Sequence, residues 1–127
     1  MYYHGACSLT NVIYFFMNKF LVLFLAPVAV IDEWMKKPAE EREAGEKQMQ
    51  AEWGAWMAAH AGLVKESNAA GKTKCVSAAG VVDVRNDIML YSIVEAESHE
   101  AAAQAFVGHP HFTIPEATIE VMAIRPM

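Results

Sequence analysis

GHPHFTIPEATIEVMAIRPM, residues 108–127, joins the end of a helix to a histidine pair, a loop and a closing strand. Just upstream, residues 98–108 read as a short helix. Ser98 is a good N-cap, Glu100 suits the positive end of the helix dipole, and Gly108 is the natural residue just past the end. Pro110 forbids continuation, because it lacks an N–H and restricts His109 to extended angles. Beyond Pro115, residues 118–124 are β-branched and alternate. Ile119, Val121 and Ala123 fall on one face, and Thr118, Glu120, Met122 and Ile124 on the other. Glu120 thus shares its face with large apolar side chains, where a carboxylate needs a partner.

His109 and His111 stand two apart. In an extended segment that spacing puts both imidazoles on one side, a geometry suited to general acid/base work. The plainer reading is that both decorate a helix C-terminus. Two histidines and a distant carboxylate are weak evidence for a metal, so no metal or cofactor is assigned. The candidate catalytic residues are His109, His111 and Glu120.

The rest of the chain surrounds this stretch with one domain's worth of sequence. Its 127 residues are 54% hydrophobic and 20% charged, with a formal net charge of −5. That acidity, without a Lys/Arg stripe, argues against a nucleic-acid partner. Cys7 and Cys75 lie far apart and outside any C-x-x-C pattern, and read as ordinary reduced thiols of a cytoplasmic protein. Residues 1–16 do not fit the pattern that follows. Tyr2 to Leu9 resembles the opening of bacterial glutathione transferases, but nothing downstream continues that family. Residues 1–16 are read as a leader before a natural start at Met17, with residues 17–127 forming a single domain.

Residues 19–26 read as a strand whose core, FLVLFL, is apolar at every position, so both of its faces need covering. Asn18-Lys19 and Pro27 interrupt any membrane span through this region. Residues 32–37 form a polar connection carrying Trp34. Pro38, Glu40, Glu41 and Glu43 then open a long helix that runs to about residue 61 and ends at Gly62. Its apolar stripe is Met49, Trp53, Trp56, Met57 and His60. Tryptophans at this spacing are usually core; Trp53 and Trp56 are also the candidates for stacking on a ligand, while His60 reads as structural. Residues 63–67 form a short strand, 68–72 a turn, and 74–84 a β-rich segment broken at Gly80. Residues 88–95, IMLYSIVE, are a second strand apolar on both faces. On it Tyr91 is able to pack its ring and offer a hydroxyl to a pocket. Gly-rich phosphate loops, G-x-S-x-G and H-E-x-x-H are absent from the sequence.

The order is strand, long helix, strands, central strand, short helix, strand. It predicts an α+β, ferredoxin-like β-α-β-β-α-β domain with an extra hairpin strand before Ile88. Helices would cover one sheet face only. The two doubly apolar strands then predict two sheets meeting face to face in a homodimer.

Residues 17–27 (MNKFLVLFLAP), Trp53-Gly-Ala-Trp56, Leu90-Tyr-Ser-Ile93, Gly108-His-Pro-His111 and Ala117-Thr-Ile-Glu-Val121 together resemble the YCII-related (DGPF-type) family. The resemblance covers essentially residues 17–127, and its most specific part is G-H-P-H with A-T-I-E-V. It implies a dimeric α/β-barrel assembly with a cleft lined by both chains. Some members carry Asp-Pro where His109-Pro110 stands here, and a histidine early in the first helix. This chain has Gln48, Gln50 and Glu52 in that region, so the His–Asp pair of those members does not carry over intact. Two functions follow as expectations. One is an enzyme on a small organic molecule, with His109 or His111 as acid/base, Glu120 tuning a histidine, and Trp53, Trp56 and Tyr91 shaping an apolar wall. The other is a non-catalytic binder or regulatory accessory module. Related domains sometimes accompany sigma-factor-type regulators.

Overall fold

The computed structural model describes residues 18–127. The readings made for residues 1–16, for the start at Met17 and for Cys7 lie outside the described residues. The chain builds β1 (Asn18–Leu25), α1 (Val28–Met35), α2 (Ala39–Ala59), β2 (Val64–Ala69), β3 (Thr73–Ser77), β4 (Gly80–Val84), β5 (Ile88–Ala96), α3 (His99–Gln104), a 3-10 turn (Pro110–Thr113) and β6 (Thr118–Ala123). Four strands form one sheet in the order β2-β5-β1-β6, every neighbour antiparallel. This is an α+β fold compatible with a ferredoxin-like arrangement.

The apolar run in β1 separates cleanly once the sheet forms. Phe20, Val22 and Phe24 are buried with Trp56, Val94, Ala96, Ala102 and Phe106. Side chains on this face meet α2 and α3, and removal of their apolar area from water drives the packing. Leu21, Leu23 and Leu25 point the other way and are only half-buried. The pairings Leu23↔Tyr91, Leu23↔Glu120, Leu21↔Ile93 and Leu21↔Met122 put all six of these residues on that second face.

Three local readings need correction. Residues 28–35 are an α-helix, where the sequence suggested only a polar connection from residue 32. Pro27 precedes it with extended angles and supplies no side-chain cap. The missing cap comes from a distance, because Val28 N–H donates to Asp87 Oδ1 at 3.3 Å. Asp32 on the same helix accepts Arg85 Nη2 at 2.9 Å. Val30, Ile31 and Trp34 are spaced for one helix face, and tertiary packing overrides the weak helix propensity of β-branched residues. Secondly, α3 ends at Gln104. Residues 105–108 continue as tighter turns, with Phe106 N–H on Ala103 O and Val107 N–H on Gln104 O. Thirdly, β3 and β4 form a separate two-stranded sheet and add no strand to the main one. This hairpin carries exposed Val76, Val81 and Val82, and Cys75 beside them is exposed as well.

Gly45 sets how closely α1 meets α2. A Cβ there would lie 2.5 Å from Trp34 Cη2, so only glycine admits the indole edge. Alanine at an open helical site gains up to ~1 kcal/mol over glycine. Gly45→Ala should forfeit that gain by displacing Trp34, seen as a shifted Trp34 indole N–H resonance with net stability within about 1 kcal/mol of wild type. An unmoved resonance would show that the contact is not as close as described.

Candidate functional site

Gly108 turns the chain at φ 78°, in the left-handed region that glycine enters without strain. Pro110 then holds His109 at φ −62°, ψ 142°, as its chemistry requires. The histidine pair is nevertheless not extended. His109 caps the 3-10 turn, with its Nδ1 accepting the His111 N–H at 2.9 Å. A neutral ring that accepts at Nδ1 carries its proton on Nε2. The two imidazoles therefore do not stand side by side facing solvent.

His109 is 2% exposed and His111 is 1% exposed. Around His109 stand Trp53, Trp56, Phe24 and Phe106, with ring centroids 4.4, 4.5, 5.3 and 5.8 Å away. Burial in this aromatic box, with smaller contributions from His111 and His60, pushes the His109 pKa down to about 4. His111 Nε2 donates to Leu25 O at 2.9 Å and so ties the turn to the end of β1. Burial lowers its pKa as well, opposed by the backbone at Leu25 and Thr118. Two buried donors, His109 Nε2 and Trp56 Nε1, have no oxygen or nitrogen partner among the described residues. Aromatic rings surround the His109 imidazole, with Trp53 and Trp56 nearest.

This arrangement limits the chemistry. A general base needs a free lone pair at working pH. The Nδ1 lone pair of His109 is taken by a backbone N–H, and Nε2 is a donor. His111, His60 and His99 each give one ring N–H to a main-chain oxygen, and the other nitrogen of each neutral ring keeps its lone pair. His60 Nδ1 lies 2.9 Å from Trp56 O, and His99 Nε2 lies 2.7 Å from Val121 O. No group of three His, Cys, Asp or Glu side chains suited to a metal occurs among the described residues.

The remaining sequence candidates divide between the two sheet faces. Trp53 and Trp56 join His109 and His111 on the helix-covered side. Trp56 and His109 also line a shallow cleft of about 580 Å³ with Glu52 and Phe112. Glu120 and Tyr91 lie on the opposite face, both opposed to Leu23. Glu120 is exposed to water on an edge strand, so the apolar surroundings expected of its face do not enclose it, and it does not meet either histidine of the pair. Tyr91 donates its hydroxyl to Glu66 Oε2 at 2.6 Å and accepts from Asn68 Nδ2 at 3.1 Å. The Glu66 bond raises the Tyr91 pKa, with Asn68 acting against it.

Sequence reasoning missed the larger concavity. A cleft of about 1190 Å³ opens between α1, α2 and the turn before β6. Val30, Trp34, Met49, Met89 and Ile114 give it apolar walls, and Glu46 and Glu52 stand along α2 at its side. The three-residue step from Ile31 to Trp34 was the available signal for this helix; the Asp32-Glu33 pair between them concealed it.

No family model matches the chain, and no curated protein matches it. Among solved structures it is similar to a hydantoinase/carbamoylase family amidase from Burkholderia ambifaria, at 11% identity and a TM-score of 0.34. The match covers 86% of this chain but 27% of the amidase chain. The chain therefore spans about a quarter of that protein's length, and a likeness this weak carries no functional argument. No helix among the described residues is long and apolar enough to cross a membrane.

Proposed function

We propose that this domain is a non-catalytic module that binds a small organic molecule, and that it works as a homodimer. The observation that supports the non-catalytic part is the engagement of His109, which spends its acceptor on a backbone N–H inside an aromatic box and so keeps no lone pair for a substrate proton. The binding part rests on the 1190 Å³ cleft, large enough for a drug-sized molecule and walled mainly by apolar side chains. The YCII-related resemblance is compatible with this reading, and membership in that family is part of the proposal. A His-based enzyme is the alternative.

The homodimer rests on the sheet face that no helix covers among the described residues. Leu21, Leu23, Leu25 and Ile93 form a central apolar band, while Glu66, Asn68 and Glu120 lie on the outer strands. An apolar centre with a polar rim is the anatomy of a protein interface. Two such faces meeting would give the dimeric α/β-barrel assembly. Leu23→Lys would set two like charges in the middle of that interface. By light scattering the wild type should be dimeric and the variant monomeric, with helix content retained. A monomeric wild type at micromolar concentration would refute the dimer. The binding claim is tested by ligand-observed NMR with small aromatic fragments on the full chain. Chemical turnover of a fragment that is lost in His109→Asn would instead restore the enzyme reading.

A further inference from the structure

The 1190 Å³ cleft has a charge pattern that its apolar walls do not explain. Lys36 and Lys37 reach its lining, but each is already paired. Lys36 Nζ lies 2.8 Å from Glu33 Oε1, and Lys37 Nζ lies 3.3 Å from Glu41 Oε1. Glu46 and Glu52 also line the cleft, and among the described residues neither has a cationic partner. Glu52 accepts only the neutral amide of Gln48, at 2.8 Å. The cleft therefore presents two uncompensated carboxylates to whatever enters.

Trp34 supplies a second, independent feature. Its outer ring edge lies against α2 at Gly45, and the half-buried indole forms part of the cleft wall. An indole in the same cleft as carboxylates favours a cation through its π system as well as through charge. The chain's net charge of −5 acts in the same direction at longer range, drawing cations toward the protein and slowing the approach of anions.

We propose that this cleft takes a small organic cation, an amine carried on a flat apolar body. The body would lie against Trp34, Met49 and Ile114, with the ammonium toward Glu46 and Glu52. The proposal rests on the binding-module reading and adds the ligand class to it.

Three probes that share a phenyl ring and differ in charge separate the possibilities: phenethylamine, phenylacetate and benzyl alcohol, each titrated against the full chain by calorimetry or ligand-observed NMR. Phenethylamine should bind about tenfold more tightly than phenylacetate at low salt, and the preference should shrink in higher salt. The double variant Glu46→Gln/Glu52→Gln should abolish the preference of phenethylamine over phenylacetate. Glu46 is exposed and Glu52 half-buried, and circular dichroism of the double variant separates loss of the fold from loss of the preference. Equal binding of all three probes, or tighter binding of phenylacetate, overturns the cation assignment but leaves a binding module. Failure of all three to bind at millimolar concentration overturns both.

Discussion

Lowering the pH from 6.5 to about 4 should strip this protein of stability on the order of 3 kcal/mol through His109 alone. Burial lowers the folded pKa of this base from its ordinary 6.5 to about 4. Between those values the unfolded chain binds a proton that the folded chain refuses. Stability is therefore level above pH 6.5, falls as the pH drops toward 4, and loses nothing more from this group below that. His111, shifted in the same direction, steepens the fall. The exposed Asp32–Arg85 pair does not imitate the effect, since Arg85 holds the Asp32 carboxyl below its usual range and charged throughout this window. Urea unfolding at a series of pH values measures the slope. His109→Asn retains a side-chain acceptor for the cap, so its stability should start lower but vary less with pH. A wild-type profile flat from pH 7 to 4.5 would contradict the burial of a neutral histidine.

Phe24→Ala should be the most damaging single truncation in the core, with an expected loss of about 3–5 kcal/mol. Phe24 is 1% exposed and is packed on all sides. Its ring lies 5.3 Å from Trp53 and from His109, 5.4 Å from His111 and 5.9 Å from Phe106. Removing it leaves a cavity beneath both histidines, and rigid rings cannot collapse to fill it. Because small domains are stable by only ~5–15 kcal/mol, the variant should be partly unfolded near body temperature. Phe24→Leu should cost much less. A midpoint within experimental error of wild type for the alanine variant would show that the aromatic cluster is not the core.

These two effects mark how far the sequence could be read. The doubly apolar runs FLVLFL and IMLYSIVE, the alternation of residues 118–124, the Pro38 start, Ser98 and the Gly62 stop are local signals, and local signals place strands and helix ends. Ser98 accepts the Ala101 N–H as an N-cap should. Helix α1 escaped because its cap comes from Asp87, 59 positions along the chain from Val28, and its anchor from the seat that Gly45 leaves for Trp34. The geometry of the histidine pair escaped for a related reason. Pro110 fixed the backbone at His109 as expected, but the ring turned back to cap its own turn. Four aromatic side chains from β1, α2 and the segment after α3 then enclosed it. Only the assembled fold brings Trp53, Trp56 and Phe106 to that ring, so the same two residues that suggested acid/base chemistry in sequence are packed as core. For Glu120 the alternation named the face-mates but not the side of the sheet on which they lie. Opposite Leu23 it faces away from the helices, and no feature of TIEVMA alone says which face those helices take.

His109 is buried and caps its own turn through Nδ1, which holds the ring neutral. Nitrogen NMR of the imidazoles across pH 4 to 8 tests it most directly. The structure requires His109 to hold the Nε2–H tautomer from pH 8 to below 5, with protonation only near its depressed pKa of about 4. Titration of His109 near pH 6.5–7, or an Nδ1–H tautomer at neutral pH, would contradict the account and return the histidine pair to catalysis.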